Sequence, residues 1–84
     1  MKEILFTFRS VTPAQQAERI LHRAGIDCQL ARTPKYLQEQ GCGYSLRVGK
    51  KDAAQAAQLL HSGPVTFQKV YLMGEKGIIQ ELEL

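Results

Sequence analysis

"AQQAERILH", residues 14 to 22, and "AAQAAQLLH", residues 53 to 61, are one segment written twice: a slide of 39 positions leaves five of the nine residues identical. In the first copy Ala14, Ala17, Ile20, Leu21 and Ala24 recur at three- and four-residue spacing. In the second, Ala53, Ala56, Ala57 and Leu60 do the same. Each copy therefore predicts a helix with one apolar stripe. Thr12 as N-cap, with Pro13 at the first helical position, marks the first start, and Gly25 marks its stop. Asp52 caps the second helix, which ends at Gly63-Pro64.

Working outward, each helix lies between runs of period two. Residues 3 to 9 place Ile4, Phe6 and Phe8 on one face of a strand, and residues 26 to 32 do so with Ile26, Cys28 and Leu30. Tyr44, Leu46 and Val48 alternate in a third strand. Residues 65 to 73 read as a fourth, with a slip between Phe67 and Val70 that predicts a bulge. The tail after "GEKG" alternates through Ile78, Gln80, Leu82 and Leu84, which fits a fifth strand folded back as a hairpin over 74–84. Two β-α-β halves related by a repeat predict an α+β, ferredoxin-like β-α-β-β-α-β sandwich, an antiparallel sheet with two helices on one face. Right-handed crossovers set strand one beside strand three.

Eighty-four residues suffice for one domain and one core. Hydrophobic residues at 44% and charged residues at 23% match a folded globular chain rather than a disordered one. No apolar run approaches the roughly 20 residues that span a bilayer, and "MKEILFTFRS" lacks the zones of a signal peptide, so the expected location is the cytoplasm. A net charge of +3, scattered except at Lys50-Lys51, favours small anions or acidic partners only weakly.

Two cysteines in that setting predict free thiols rather than a disulfide framework. His22, Cys28, Cys42 and His61 include no C-x-x-C or H-x-x-x-H pair, so neither a metal nor a cofactor is expected. Cys28 shares a strand face with Ile26 and Leu30, which is the place of a packing residue. Cys42 stands between Gly41 and Gly43 in "TPKYLQEQGCGYSLRV", residues 33 to 48. The predicted topology puts it near Arg9, Ser10 and the start of helix one, where unpaired amides from Ala14 onward would favour a thiolate. The two glycines would let the sulfur stand clear and amides approach it. The same G-C-G also fits a bend with a small neutral filler.

His61, at the end of helix two, falls on the Cys42 side of the sheet, and His22 falls on the other. Either His61 assists the thiol, or it gains only from the helix dipole. Arg9, Arg32 and Lys35 cluster at the same end, as an anion-attracting rim or as solvated charge.

The Ala24-Gly25-Ile26 helix ending, the stretch from Thr33 to Val48 and the strand-helix ending resemble small bacterial domains grouped as selenium/sulfur carrier protein-like. Their T-P-R-x-[IL]-[ST]-x-x-C-G-like stretch has its counterpart here in Thr33, Pro34, Lys35, Leu37, Cys42 and Gly43, with one residue more between Leu37 and Cys42. Lys35 replaces the Arg, and Gln38, Glu39, Gln40 and Gly41 supply no hydroxyl. The resemblance spans residues 3 to 73 and implies a carrier more than a self-sufficient enzyme. Cys42 would take a sulfur or selenium atom from a donor protein and pass it to an acceptor.

Two other functions fit the same fold. A non-catalytic regulatory or protein-interaction module could form a homodimer through the outward residues Leu5, Thr7, Gln29, Ala31 and Ser45. An RNA-recognition motif shares the topology, but after Gly43-Tyr44 its stacking rings are replaced by Leu46 and Val48, so nucleic acid is not the expected partner.

Overall fold

The computed structural model describes residues 3–33, 43–63, 65–74 and 77–82. Its elements are β1 (Glu3–Phe8), α1 (Val11–Arg23), β2 (Cys28–Arg32), β3 (Tyr44–Gly49), α2 (Ala53–Ser62), β4 (Val70–Gly74) and β5 (Gly77–Leu82). The strands form an antiparallel sheet of order β2-β3-β1-β4-β5. The first four follow the ferredoxin-like order, and the tail adds β5 at the edge.

Ile4, Phe6 and Phe8 of β1, Leu46 and Val48 of β3 and Val70 of β4 are buried on the helix-bearing face. Against them the helices bring Ala14, Ala17, Ala53, Ala56 and Ala57, with Leu21 and Leu60. Most of the large side chains come from the sheet and most of the small ones from the helices, which lets the helices lie close over the sheet.

The repeat correctly locates both helices, but α1 begins earlier than the Thr12-Pro13 signal suggests. Its N-cap is Ser10, in extended backbone (φ −147°, ψ 175°), with no side-chain capping bond. Thr12 and Pro13 lie inside the first turn, where a missing proline amide costs nothing. At the other end Gly25 takes φ +80°. Its amide donates to the His22 carbonyl at 3.0 Å, and the Ile26 amide donates to Leu21 at 2.9 Å, the pair of bonds that defines a Schellman ending. Ala24, expected on the apolar stripe, is exposed at this cap. Asp52 precedes α2 as expected, after a single 3-10 turn over Lys50–Asp52, and also makes no side-chain cap bond.

The fourth strand is shorter than its apolar pattern. Val65 and Phe67 pack into the core from irregular chain, and pairing as β4 starts only at Val70. The slip in alternation is a true irregularity: Gln68 donates its amide to the Thr7 carbonyl at 2.8 Å, while the Thr7 amide donates to the Lys69 carbonyl at 2.9 Å. Two residues thus stand opposite one. The expected fifth strand is present, with a register shift against β4 at Leu72/Met73.

The mixed outer surface expected for self-association is not available as such. Leu5, Thr7 and Ser45 are buried; only Gln29 is exposed and Ala31 half-buried. Leu5 packs with Tyr71 and Met73 of β4 in a second apolar cluster, and Ser45 Oγ lies 3.5 Å from the Ala31 carbonyl it donates to. Thr7 is tied to Lys69.

Candidate functional site

The sequence-predicted site falls at the end of the sheet where β1 finishes and β3 starts. Phe8 pairs with Tyr44, and Tyr44 pairs on its other side with Arg32. One step beyond, the Thr33 amide donates to the Gly43 carbonyl at 3.0 Å. Gly43 therefore extends β3 past its pairs with Phe8 and Arg32, at the end of the sheet where β1 gives way to Arg9 and Ser10. The Arg32 guanidinium lies 5.8 Å from the Tyr44 ring centroid, a cation-π contact across this end.

Both helices reach the same end. In α1 the open amides are those of Val11 and Thr12, because a helix leaves its first donors unpaired and Pro13 has none. Ala14 is the first residue whose amide reaches back to a helical carbonyl, and its side chain is fully buried in the core. The amide support assigned to Ala14 onward thus belongs to the turn before it. No acidic residue stands in that first turn, so the positive end of the helix is not neutralised locally. From α2 comes His61, whose ring lies 4.9 Å from the ring of Phe67; Phe67 in turn meets Phe6 edge-on at 5.1 Å.

Of the residues proposed from sequence, Arg9, Thr12, Gly43 and His61 share this end of the molecule. Cys42, Gly41 and Lys35 lie outside the described residues.

Sequence reasoning missed a cavity here of about 410 Å³, with Arg9, Pro13 and Gln16 on one side and residues 65–68 on the other.

Cys28 sits near the opposite end of the sheet, paired with Val48. Its Sγ is 3.9 Å from the Glu18 carbonyl, and His22 Nε2 is 3.4 Å from the Cys28 carbonyl. Burial pushes the thiol up to about 11, and the carboxylates of Glu18 and Asp27 push in the same direction. Protonated at neutral pH, Cys28 is a packing thiol and a poor nucleophile. It also lines a second cavity of about 430 Å³ with Glu3, Asp27 and Arg47, where Arg47 and Glu3 approach to 3.9 Å.

Among the described residues no group of three His, Cys, Asp or Glu side chains is arranged to hold a metal. No helix among them is long and apolar enough to cross a membrane.

No curated protein and no solved structure matches the chain. A family model does, the one described as "Putative Se/S carrier protein-like", over residues 3–72, from the first described residue of β1 into β4. That match takes in both β-α-β halves and the Thr33-to-Gly43 connection, leaving only the end of β4 and β5 outside it. The chain belongs to this Se/S carrier protein-like family.

Proposed function

We propose that the protein carries a sulfur or selenium atom on Cys42, between a donor protein and an acceptor protein. The observation that carries this reading is the position of Gly43, the next residue in the chain. It lies one residue past the Phe8–Tyr44 pair, at the end of the sheet where β1 runs on through Arg9 and Ser10 into α1, and the positive potential of a helix start favours a thiolate. Family membership supports the same reading. Lys35 would add a cation from within the connection, Gly41 and Gly43 would keep the sulfur unobstructed, and His61 would contribute from the end of α2.

The chemistry is an exchange without net oxidation. The Cys42 thiolate attacks the outer sulfur of a donor persulfide, R–S–SH; the donor S–S bond breaks as the new S–S bond forms. The leaving thiolate takes up a proton, and Cys42 holds the transferred atom as a persulfide. A nucleophile of the acceptor then attacks that outer atom and returns Cys42 as thiolate. Selenium follows the same course through a selenosulfide. Neither step needs a general base or a cofactor from this chain, and a reducing cytoplasm would keep the resting thiol free.

The test is transfer from a persulfide donor to wild type, Cys42→Ser and Cys28→Ser, read by intact mass. The wild type and C28S gain one sulfur, and C42S gains none. Equal loading of C42S would overturn the assignment.

A further inference from the structure

We propose that the cavity between α1 and the irregular segment before β4 binds a small organic anion through Arg9. Among the described residues Arg9 is the one charged side chain that lines the cavity, and no carboxylate among them lines it. Among the described residues Arg9 makes no ion pair. Its guanidinium therefore offers a planar fork that matches a carboxylate or other oxyanion in two parallel hydrogen bonds. Gln16, Thr66 and Gln68 bring amide and hydroxyl groups to the same space.

The volume decides between a bare ion and a larger ligand. About 410 Å³ lies within the range of small-molecule sites and is several times what an isolated oxyanion fills. Val65 and Phe67 add apolar lining: Val65 is buried, and the Phe67 ring contacts those of Phe6 and His61. The segment is also tied to the sheet, because Thr7 Oγ1 accepts from the Lys69 amide at 3.0 Å. A cation at one side and an aromatic wall at the other select a ligand with an anionic head and a compact apolar body.

The site does not depend on Cys42, so it is tested separately. The full chain is titrated with 3-phenylpropionate, and with the neutral 3-phenylpropionamide, while backbone amide shifts are followed by NMR. Saturable shifts with one dissociation constant are expected at Gln16, Thr66, Phe67 and Gln68. Loss of a charge-assisted bond should weaken binding by about tenfold or more for the neutral analogue, and likewise for Arg9→Gln, an exposed position whose change leaves the fold intact. C42S should bind the acid at least as tightly as the wild type, because it removes an anion that would compete for Arg9 and leaves the cavity lining intact. The proposal is overturned if the acid gives no saturable shift at these residues, if R9Q binds it as tightly as wild type, or if the neutral amide binds equally well.

Discussion

The Thr33 amide donates to the Gly43 carbonyl, extending the β2–β3 ladder one pair past Arg32 and Tyr44. This bounds how near Cys28 and Cys42 can come. Cys28 pairs with Val48, five residues along the ladder from the Thr33–Gly43 pair, or about 16 Å at the rise of a strand. Cys42 is one residue, about 3.8 Å, from Gly43. A disulfide needs Cα atoms within about 7 Å. Oxidation of the native protein should therefore give no internal Cys28–Cys42 bond, and peptide mapping after mild oxidation should find both cysteines unlinked within one chain. An internal crosslink in protein that retains its native amide spectrum would contradict this register.

Cys28 should be silent toward alkylation at neutral pH. With its pKa pushed up to about 11, the thiolate fraction at pH 8 is about one in a thousand. Labelling by iodoacetamide under native conditions should leave Cys28 unmodified until the protein unfolds, while Cys42 reacts. Equal rates at the two thiols would refute both assignments.

The same shift makes Cys28 an alkaline liability. Its thiol stands above its ordinary value of 9.0 in the folded chain, so the folded state holds the proton more tightly. That contribution to stability is complete below about pH 9 and is lost as pH rises through about 11. Denaturant midpoints measured across this window should fall more steeply for wild type than for Cys28→Ala. Parallel slopes would count against it.

Thr7→Val should destabilise the protein by about 1–3 kcal/mol despite equal size, because the buried hydroxyl accepts from the Lys69 amide at 3.0 Å and donates to the Lys69 carbonyl at 3.3 Å. Thr7→Ser keeps the hydroxyl and should hold the amide shifts of Phe67 and Gln68 near their wild-type positions, whereas T7V should move them. Urea unfolding with an unchanged slope is the stability readout. A T7V midpoint at the wild-type value would show that these bonds add nothing.

Gly25→Ala should cost about 1 kcal/mol. No heavy atom lies within 4 Å of an added Cβ, so the cost comes from holding an L side chain at φ +80° rather than from collision. Thermal unfolding of the variant gives the comparison, and an unchanged midpoint would mean the turn had relaxed to another conformation.

What could be read from sequence depended on whether a residue's role was set by its own periodicity. The nine-residue repeat carried both helices and, through them, the strand order, since amphipathic spacing depends on which face a residue buries. The start of α1 was misread because Thr12-Pro13 carries every local mark of a cap, yet the extended backbone sits at Ser10 and no side chain makes the capping bond. The fourth strand was overextended because Val65 and Phe67 are apolar for packing, not for pairing. The burial of Leu5, Thr7 and Ser45 had no local signal at all, because the residues they contact, Tyr71 and Met73, Lys69 and Ala31 respectively, are distant in the chain. For the same reason the cavity was invisible: Arg9, Gln16 and Phe67 meet only once the fold exists.

The two copies of the repeated helix leave by different routes. After Leu21-His22 the chain reverses at Gly25 and enters β2 within a few residues; after Leu60-His61 it leaves through Gly63 in extended backbone (φ −95°, ψ −175°) and wanders until Val70. A duplicated unit needs only one tight exit to close its sheet. The second exit is thereby released from that duty, and it is there that Thr66 and Gln68, both exposed, line the cavity beside Arg9.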